Sequence, residues 1–495
     1  GIRFRWRDDG NASMNKYIGF RPDIDPATPG VITDCDDLIP TVRGMKAMPS
    51  EVPTLLPALA AAAVGAAVIV KLDGTTRMFA GTATRLYEAG TSSWTDRSKG
   101  GAAYTSGTIW RFAQFGNDTL AVNKSDIVQQ SSTGAFSDVT DSPKASVIDA
   151  AAGFVMLGAT NEGTYGDQTD RWWCSSFQDA TSASAFTPSV TTQCTTGRLV
   201  DAPGPILGMK ALGSNFVAYK AKSMFLGTYV GAPSVWTWQQ VPGEIGCSSH
   251  EAIVTTGVSH IFIGDHNIYL YDGTRPIPIG DDIKQWFFKD LHKPYKSLIK
   301  GLHESQNSRV WFFYPSGTST TNSAAIVYNY VTGVWGKCSI ECECTVEYLS
   351  GLITWDGMGS LYATWDDLPL LAYDSPFWLQ STPLPTIFNT SHVLQTLTGE
   401  SAGGSITTGD MGNDSMFSTL SRARPHFTTA PTSGTMINYY RDTTGTALTT
   451  GATATMNKGK FDVLRSARWH RLKYSFVGDF EVLGDEVTLI QDGEE

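Results

Sequence analysis

His260-Ile261-Phe262-Ile263-Gly264-Asp265-His266-Asn267-Ile268-Tyr269-Leu270-Tyr271-Asp272-Gly273 carries the clearest hairpin pattern in the chain. Two four-residue runs rich in β-branched and aromatic side chains flank four turn-forming residues, and Asp272-Gly273 marks a second reversal immediately afterwards. The segment therefore reads as a β-hairpin leading into a further turn. A small sheet made of such runs has two apolar faces and cannot stand alone. Radial stacking of several such sheets buries both faces and leaves only short, protected edges.

The same pattern recurs on either side of the hairpin. Towards the N-terminus lie 216–219, 223–226 and 235–238, then 154–157 with Arg171-Trp172-Trp173. Before them come 109–112, 119–122 and Ile127 to Phe136, and then 68–72, the Asp73-Gly74 turn, 77–80, 84–87 and Trp94. Towards the C-terminus a further unit holds 309–314, 325–330 and Val334-Trp335, and a partial one runs through 352–355, Asp356-Gly357 and 361–365. Short strands, tight turns and a large aromatic closing each unit predict an all-β chain whose centre is a β-propeller of about six blades, or seven with the partial unit. A tandem of β-sandwiches would produce similar local text. Helix is expected only over 56–67 and 282–291.

Residues 1–50 are expected to form an N-terminal strand and an extended arm. Ile2, Phe4 and Trp6 alternate with Arg3, Arg5 and Arg7, and the Pro-, Asp- and Gly-rich text up to Gly44 has little periodicity. The propeller is assigned to 51–385. Residues 386–495, where composition turns to Thr, Ser, Gly and Met, are assigned to an additional C-terminal β domain used in assembly.

Composition narrows the function. A 41% hydrophobic content with only 17% charged residues, 49 Gly, 14 Trp and 18 Tyr suits many short strands and disfavours disorder and coiled coil. A net charge of -11 argues against a protein that grips nucleic acid backbone, which requires a field of Lys and Arg. No signal peptide is read, and the apolar run 58–70 is too short to span a bilayer, so no membrane insertion is expected. The seven scattered cysteines read as reduced thiols. Cys338, Cys342 and Cys344 share a parity with Ile340 and Val346, the pattern of one strand with cysteines facing inward, and no zinc or other metal is expected there.

Catalytic patterns are sparse. Gly399-Glu400-Ser401-Ala402-Gly403 matches a nucleophile elbow, with Asp410, Asp414, His426 and His470 following in triad order, but the next residues are poor helix formers and no oxyanion motif exists. Turn aspartates Asp73, Asp265, Asp272, Asp281 and Asp356 are available to a glycosidase, yet Asp is an ordinary turn residue. No enzymatic activity and no cofactor are expected. The remaining chemical signal is basic: Arg465, Arg468, Arg471 and Lys473 interleave with Trp469 and His470. They join Arg3, Arg5 and Arg7 as candidate assembly contacts, which opposite charge on a neighbour would favour.

Several stretches together resemble the tail nozzle family of short-tailed bacteriophages, also described as packaged-DNA stabilisation or tail tubular proteins. They include Leu38-Ile39-Pro40-Thr41-Val42-Arg43-Gly44, Phe79-Ala80-Gly81-Thr82, Gly227-Thr228-Tyr229-Val230-Gly231 and Ile245-Gly246-Cys247-Ser248. Phe262-Ile263-Gly264, Tyr269-Leu270-Tyr271-Asp272-Gly273, Val327-Tyr328-Asn329-Tyr330 with Trp335, Ala467-Arg468-Trp469-His470-Arg471 and Gly478-Asp479-Phe480 complete the set. The resemblance implies a structural virion protein, a homo-hexamer docked below an adaptor ring. It would contact tail fibre or tail needle proteins and pass double-stranded DNA without sequence specificity. Assembly would take place in the host cytoplasm. The rival expectation is a glycan-binding or glycan-cleaving propeller in which Trp236, Trp238 or Trp365 stacks on sugars.

Overall fold

The computed structural model describes residues 14–349, 364–367 and 383–493. The decisive hairpin forms as read: His260–Ile263 pairs antiparallel with Ile268–Tyr271, and the Gly264 N–H donates to the Asn267 carbonyl at 2.9 Å to close the turn. Its two faces go to different neighbours. Phe262 packs with Tyr219 and Val217 on one side, whereas Ile261 and Ile263 pack with Val310 and Phe312 on the other.

That arrangement repeats around a closed ring. Among the described residues six self-contained four-stranded sheets are present, and a seventh four-stranded unit begins a longer sheet. Blades 1 to 5 start with the inner strands Gly65–Val70, Arg111–Phe115, Lys144–Ala151, Gly208–Leu212 and Ile253–Thr255. Blade 6 starts with Lys300–Glu304 and continues through Arg309–Tyr314, Ala324–Asn329 and Val334–Cys338. Blade 7 consists of Cys344–Leu349, Pro383–Phe388 and Leu394–Gly399, with Ser50–Pro53 as its outermost strand. The inner strands neighbour one another in chain order, and Cys344–Leu349 returns to Gly65–Val70. The ring is thus locked by a strand from the opposite end of the chain.

An apolar cluster fills every gap between blades. Phe79, Trp110 and Phe136 lie between blades 1 and 2, Trp173 and Phe186 between 2 and 3, and Phe154, Trp172 and Trp236 between 3 and 4. Trp311, Phe313 and Ile387 join blades 6 and 7, and Met78, Val346 and Phe388 close 7 onto 1. Each aromatic removes a large apolar area from water, so a blade without its neighbour would expose surface that no local contact can cover.

The second body is a β-sandwich. One sheet carries Phe417–Thr429, Phe461–Ala467 and Glu481–Gly493. The other carries Gly403–Thr408, Ser433–Arg441, Thr449–Thr455 and Trp469–Val477. Leu420, Ala423 and Phe461 of the first sheet meet Met436, Leu472, Tyr474 and Phe476 of the second, and this core is continuous with that of blades 5 and 6.

Several expectations need correction. Residues 14–50 lie against both bodies as short strands: Val31–Asp36 pairs with Gly403–Thr408 of the sandwich, Leu38–Pro40 pairs with blade 6 through Lys337, and Met45–Ala47 pairs with Glu481–Gly493. Their weak periodicity arises because short strands bind different sheets in turn. The division at 385/386 falls inside the strand Pro383–Phe388, and the propeller runs to Gly399. No helix forms over 56–67; Leu56, Leu59 and Ala63 plug the blade 7/1 gap from an irregular segment before strand Gly65–Val70 begins. The helix expected over 282–291 is present as Lys284–Asp290, with Phe287 buried. Cys338 ends one blade and Cys344 begins the next, so the three cysteines are all buried but do not share one strand. The partial unit at 352–365 lies outside the described residues except for 364 and 365, as do Arg3, Arg5 and Arg7.

Two stability outcomes follow from this packing. Ile39 is fully buried between blades 6 and 7, so Ile39→Ala is expected to lower the unfolding free energy by about 3 kcal/mol, while Val42→Ala, 77% exposed, should change it by less than about 0.5 kcal/mol; urea denaturation measures both. Asp485 is buried beneath the Tyr474 hydroxyl, which donates to it at 3.0 Å, and burial pushes its carboxyl up to about 6. A raised carboxyl favours the folded state while protonated, so this contribution is full below about pH 4 and is lost as pH rises through 6. Asp485→Asn is expected to remove about 3 kcal/mol of that pH dependence, read from melting curves between these limits.

Candidate functional site

The basic residues singled out near the C-terminus do not share one face. Arg465 points to the sandwich interior side of Phe461–Ala467, its guanidinium 4.6 Å from the centre of the Tyr440 ring. Arg468 lies over Phe417 at 4.7 Å. Arg471 is held by Asp410, with Nε donating to Oδ1 at 2.8 Å, and Arg441 binds the other oxygen of the same carboxylate. Lys473 stands on the outer, half-buried face of Trp469–Val477. Among the described residues Arg465, Arg468 and Lys473 have no carboxylate at ion-pair distance, whereas Arg471 is neutralised within the chain.

The elbow-like stretch is the crossover from blade 7 to the sandwich. Ser401 sits in a turn between two strands, where its hydroxyl accepts the Gly403 N–H at 3.1 Å. The other members of the pattern have separate partners. Asp410 holds two arginines, Asp414 accepts the Trp469 indole N–H at 2.8 Å, and His470 bonds the Ser418 carbonyl at 2.9 Å. His426 faces Glu486 at 3.4 Å. Asp73 and Asp272 cap their own turns by accepting from Thr75 and Thr274. Asp265 pairs with Lys296, and Asp281 with Lys284 and Asn267; Asp356 lies outside the described residues. Trp236 is buried against Phe154 and Phe216, and Trp238 packs on Trp172 at 5.6 Å.

A group of ionisable side chains gathers on the propeller axis, at a cavity of about 490 Å³ walled largely by inner strands. At the N-terminal end of these strands Arg111 of blade 2 reaches across to Glu251, just ahead of blade 5. Nε donates to Oε1 at 2.8 Å and Nη2 to Oε2 at 3.1 Å, while Nη1 donates to the Ser146 carbonyl at 2.6 Å. Burial works to raise the Glu251 carboxyl, but Arg111 and then Lys300 override it and hold it well below the usual range. Lys210 of blade 4 and Lys300 of blade 6 flank the same carboxylate. Burial lowers Lys210, opposed by Asp149, and keeps His250 well below its ordinary value. Further along the axis His303 faces Glu347, with Nδ1 to Oε1 at 3.7 Å. Burial, then the charge of Glu304, pushes Glu347 up to about 7.

None of these axial residues was singled out by sequence reasoning. The available signal was a charge interrupting an apolar run at the first strand of a unit, as in Trp110-Arg111-Phe112 and Met209-Lys210-Ala211. Among the described residues no group of three or more His, Cys, Asp or Glu side chains is placed to hold a metal ion, and no helix is long and apolar enough to cross a membrane.

Fold and axis together define an all-β protein in which a propeller is built into a β-sandwich. The sequence matches no protein-family model and no curated protein. Among solved structures it is similar to the computationally designed Ika8 protein, with 8% identity over 70% of this chain and 100% of that one, at a TM-score of 0.36. It is also similar to YCF48 bound to D1 peptide, with 12% identity over 73% of this chain and 97% of that one, at a TM-score of 0.36.

Removing Arg111 takes from Glu251 its hydrogen-bonded counter-charge and leaves only the flanking lysines. Arg111→Ala is expected to cost about 3–5 kcal/mol, whereas the paired change Arg111→Met with Glu251→Leu should restore most of the loss; a double-mutant cycle by chemical denaturation measures both. Because the Glu251 carboxyl is depressed in the fold, this contribution is present above about pH 4.5 and disappears as pH falls below it, so the wild-type advantage over the paired variant shrinks in acid.

Proposed function

We propose that this chain is a non-enzymatic structural protein, one subunit of a homo-hexameric tail nozzle of a short-tailed bacteriophage. It docks below the adaptor ring, helps retain packaged double-stranded DNA and contributes to the channel for its ejection. Tail fibre or tail needle proteins attach to the same assembly, which belongs to the virion.

The observation that supports this reading best is a propeller shut on its own axis and tied to a second β body by a segment threaded through both. The axis is crossed by the Arg111–Glu251 pair and leaves about 490 Å³, whereas the major groove alone of a DNA duplex is about 12 Å wide. A conduit must then lie between copies of the chain. A rigid subunit suits that role, because heterologous contacts close into a ring only if each copy holds one shape. The net charge of -11 fits a wall along which DNA slides, since few phosphates would be neutralised.

Electron microscopy of the purified chain mixed with adaptor is expected to show six-fold rings with a central hole. Only monomers at high protein concentration, with adaptor present, would overturn the assignment. Lys473→Glu is expected to weaken ring assembly at least tenfold if this unpaired cation meets a neighbouring subunit, as measured by analytical ultracentrifugation.

A further inference from the structure

We infer that the axial cavity of the propeller is a binding site for a small oxyanion, of the phosphate or short dicarboxylate type, held between Lys210 and Lys300. This inference is independent of the assembly reading, because it concerns the inside of one subunit.

Some charges at the cavity already have partners. Arg111 and Glu251 share two hydrogen bonds and neutralise each other. The Asp149 carboxylate accepts the Ala211 N–H at 2.7 Å and the Ala150 N–H at 2.8 Å, so it acts on Lys210 through its charge and not as a hydrogen-bond acceptor. The Lys210 and Lys300 side chains line the same cavity, and among the described residues neither ammonium group forms an ion pair or donates a hydrogen bond. Each presents three donors, and an ammonium away from bulk water is costly unless an acceptor or counter-charge meets it. Their positions are fixed by the fold, because blades 4 and 6 stand on either side of blade 5. An occupant over His250 and Glu251 therefore lies between both.

The opposite wall does not supply the missing negative charge. His303 faces Glu347 there, and a carboxyl titrating near 7 is only partly ionised at neutral pH. One Glu347 oxygen is buried with no hydrogen-bond partner, and in its protonated form this group can donate to an anionic oxygen. The remaining lining is mostly apolar, including Ala66, Val68, Val254 and Leu302, with Thr255 and Thr345 as further polar groups. A cavity of this volume, largely apolar with a few convergent polar groups, has the size and character of a small-molecule site. Neither ammonium group has an acceptor of its own, and an anion with several oxygens can accept from both at once, which chloride does less well.

The test uses the full chain, with inorganic phosphate and succinate as separate probes, each against chloride at matched ionic strength. Binding to the folded state raises the melting temperature saturably with ligand concentration. Phosphate also stabilises proteins by exclusion from their surface, without saturation, and variants separate the two effects. The expected result is a saturable rise with at least one probe, lost in Lys210→Gln combined with Lys300→Gln. A response to phosphate alone identifies a tetrahedral oxyanion site, and one to succinate alone a dicarboxylate site. The inference fails if neither probe gives a saturable rise, or if the double variant retains it. Should the double variant not fold, titration calorimetry of Lys300→Gln decides: at least a tenfold weaker affinity is expected, and an unchanged one overturns the site.

Discussion

The structure depends on one constraint: a blade of four short strands has two apolar faces, and both must be covered by other blades. The hairpin at 260–271 shows it directly, with Phe262 committed to blade 4 and Ile261 and Ile263 to blade 6. A row of such sheets would still leave two faces bare at its ends, and only closure removes them. Closure is achieved by Ser50–Pro53, which completes blade 7 before the chain enters blade 1. The inter-blade clusters are therefore mutually dependent, and a loss in one gap is felt around the ring.

Closure also explains why charge accumulates on the axis. The inner strands converge there around a cavity, where charged side chains stand among Ala66, Val68 and Val254 and are not sealed into an inter-blade gap. Arg111, Lys210, Glu251 and Lys300 occupy that space near the N-terminal ends of their strands, while His303 and Glu347 lie further along. Desolvation penalises every charged form in such a place, and the pairing of Arg111 with Glu251 offsets it for one couple. The two lysines have no hydrogen-bonded acceptor, although Asp149 and Glu251 oppose the effect of burial on Lys210. The axis thus combines a bridge that keeps it shut with cations able to meet a diffusible partner.

The sandwich is joined to the ring by a different device. The segment from Asn15 to Pro53 contributes a short strand first to one sandwich sheet, then to the other, then alongside blade 6, and finally to blade 7. Its Pro-, Asp- and Gly-rich text follows from this route, since each strand is brief and each change of partner requires a turn. The sandwich core runs without interruption into that of blades 5 and 6 through Phe20, Ile32, Leu38 and Trp335. Relative motion of the two bodies would have to break this shared core.

What the sequence determined by itself is local: the strands, the tight turns at Asp73-Gly74 and Asp272-Gly273, the scarcity of helix, and the need of each unit for neighbours on both sides. These are legible because strand propensity, turn chemistry and apolar runs act over a few residues. Tertiary structure alone decided that seven units close the ring, that Ser50–Pro53 belongs to blade 7, and that the irregular residues after Leu56 plug a gap instead of forming a helix. It alone separated Arg465 from Arg471 onto different sides of the sandwich and gave Arg471 an internal partner. The axial group was invisible for the same reason: Arg111 and Glu251 lie 140 residues apart, and no local pattern marks two charges that meet only when the ring shuts.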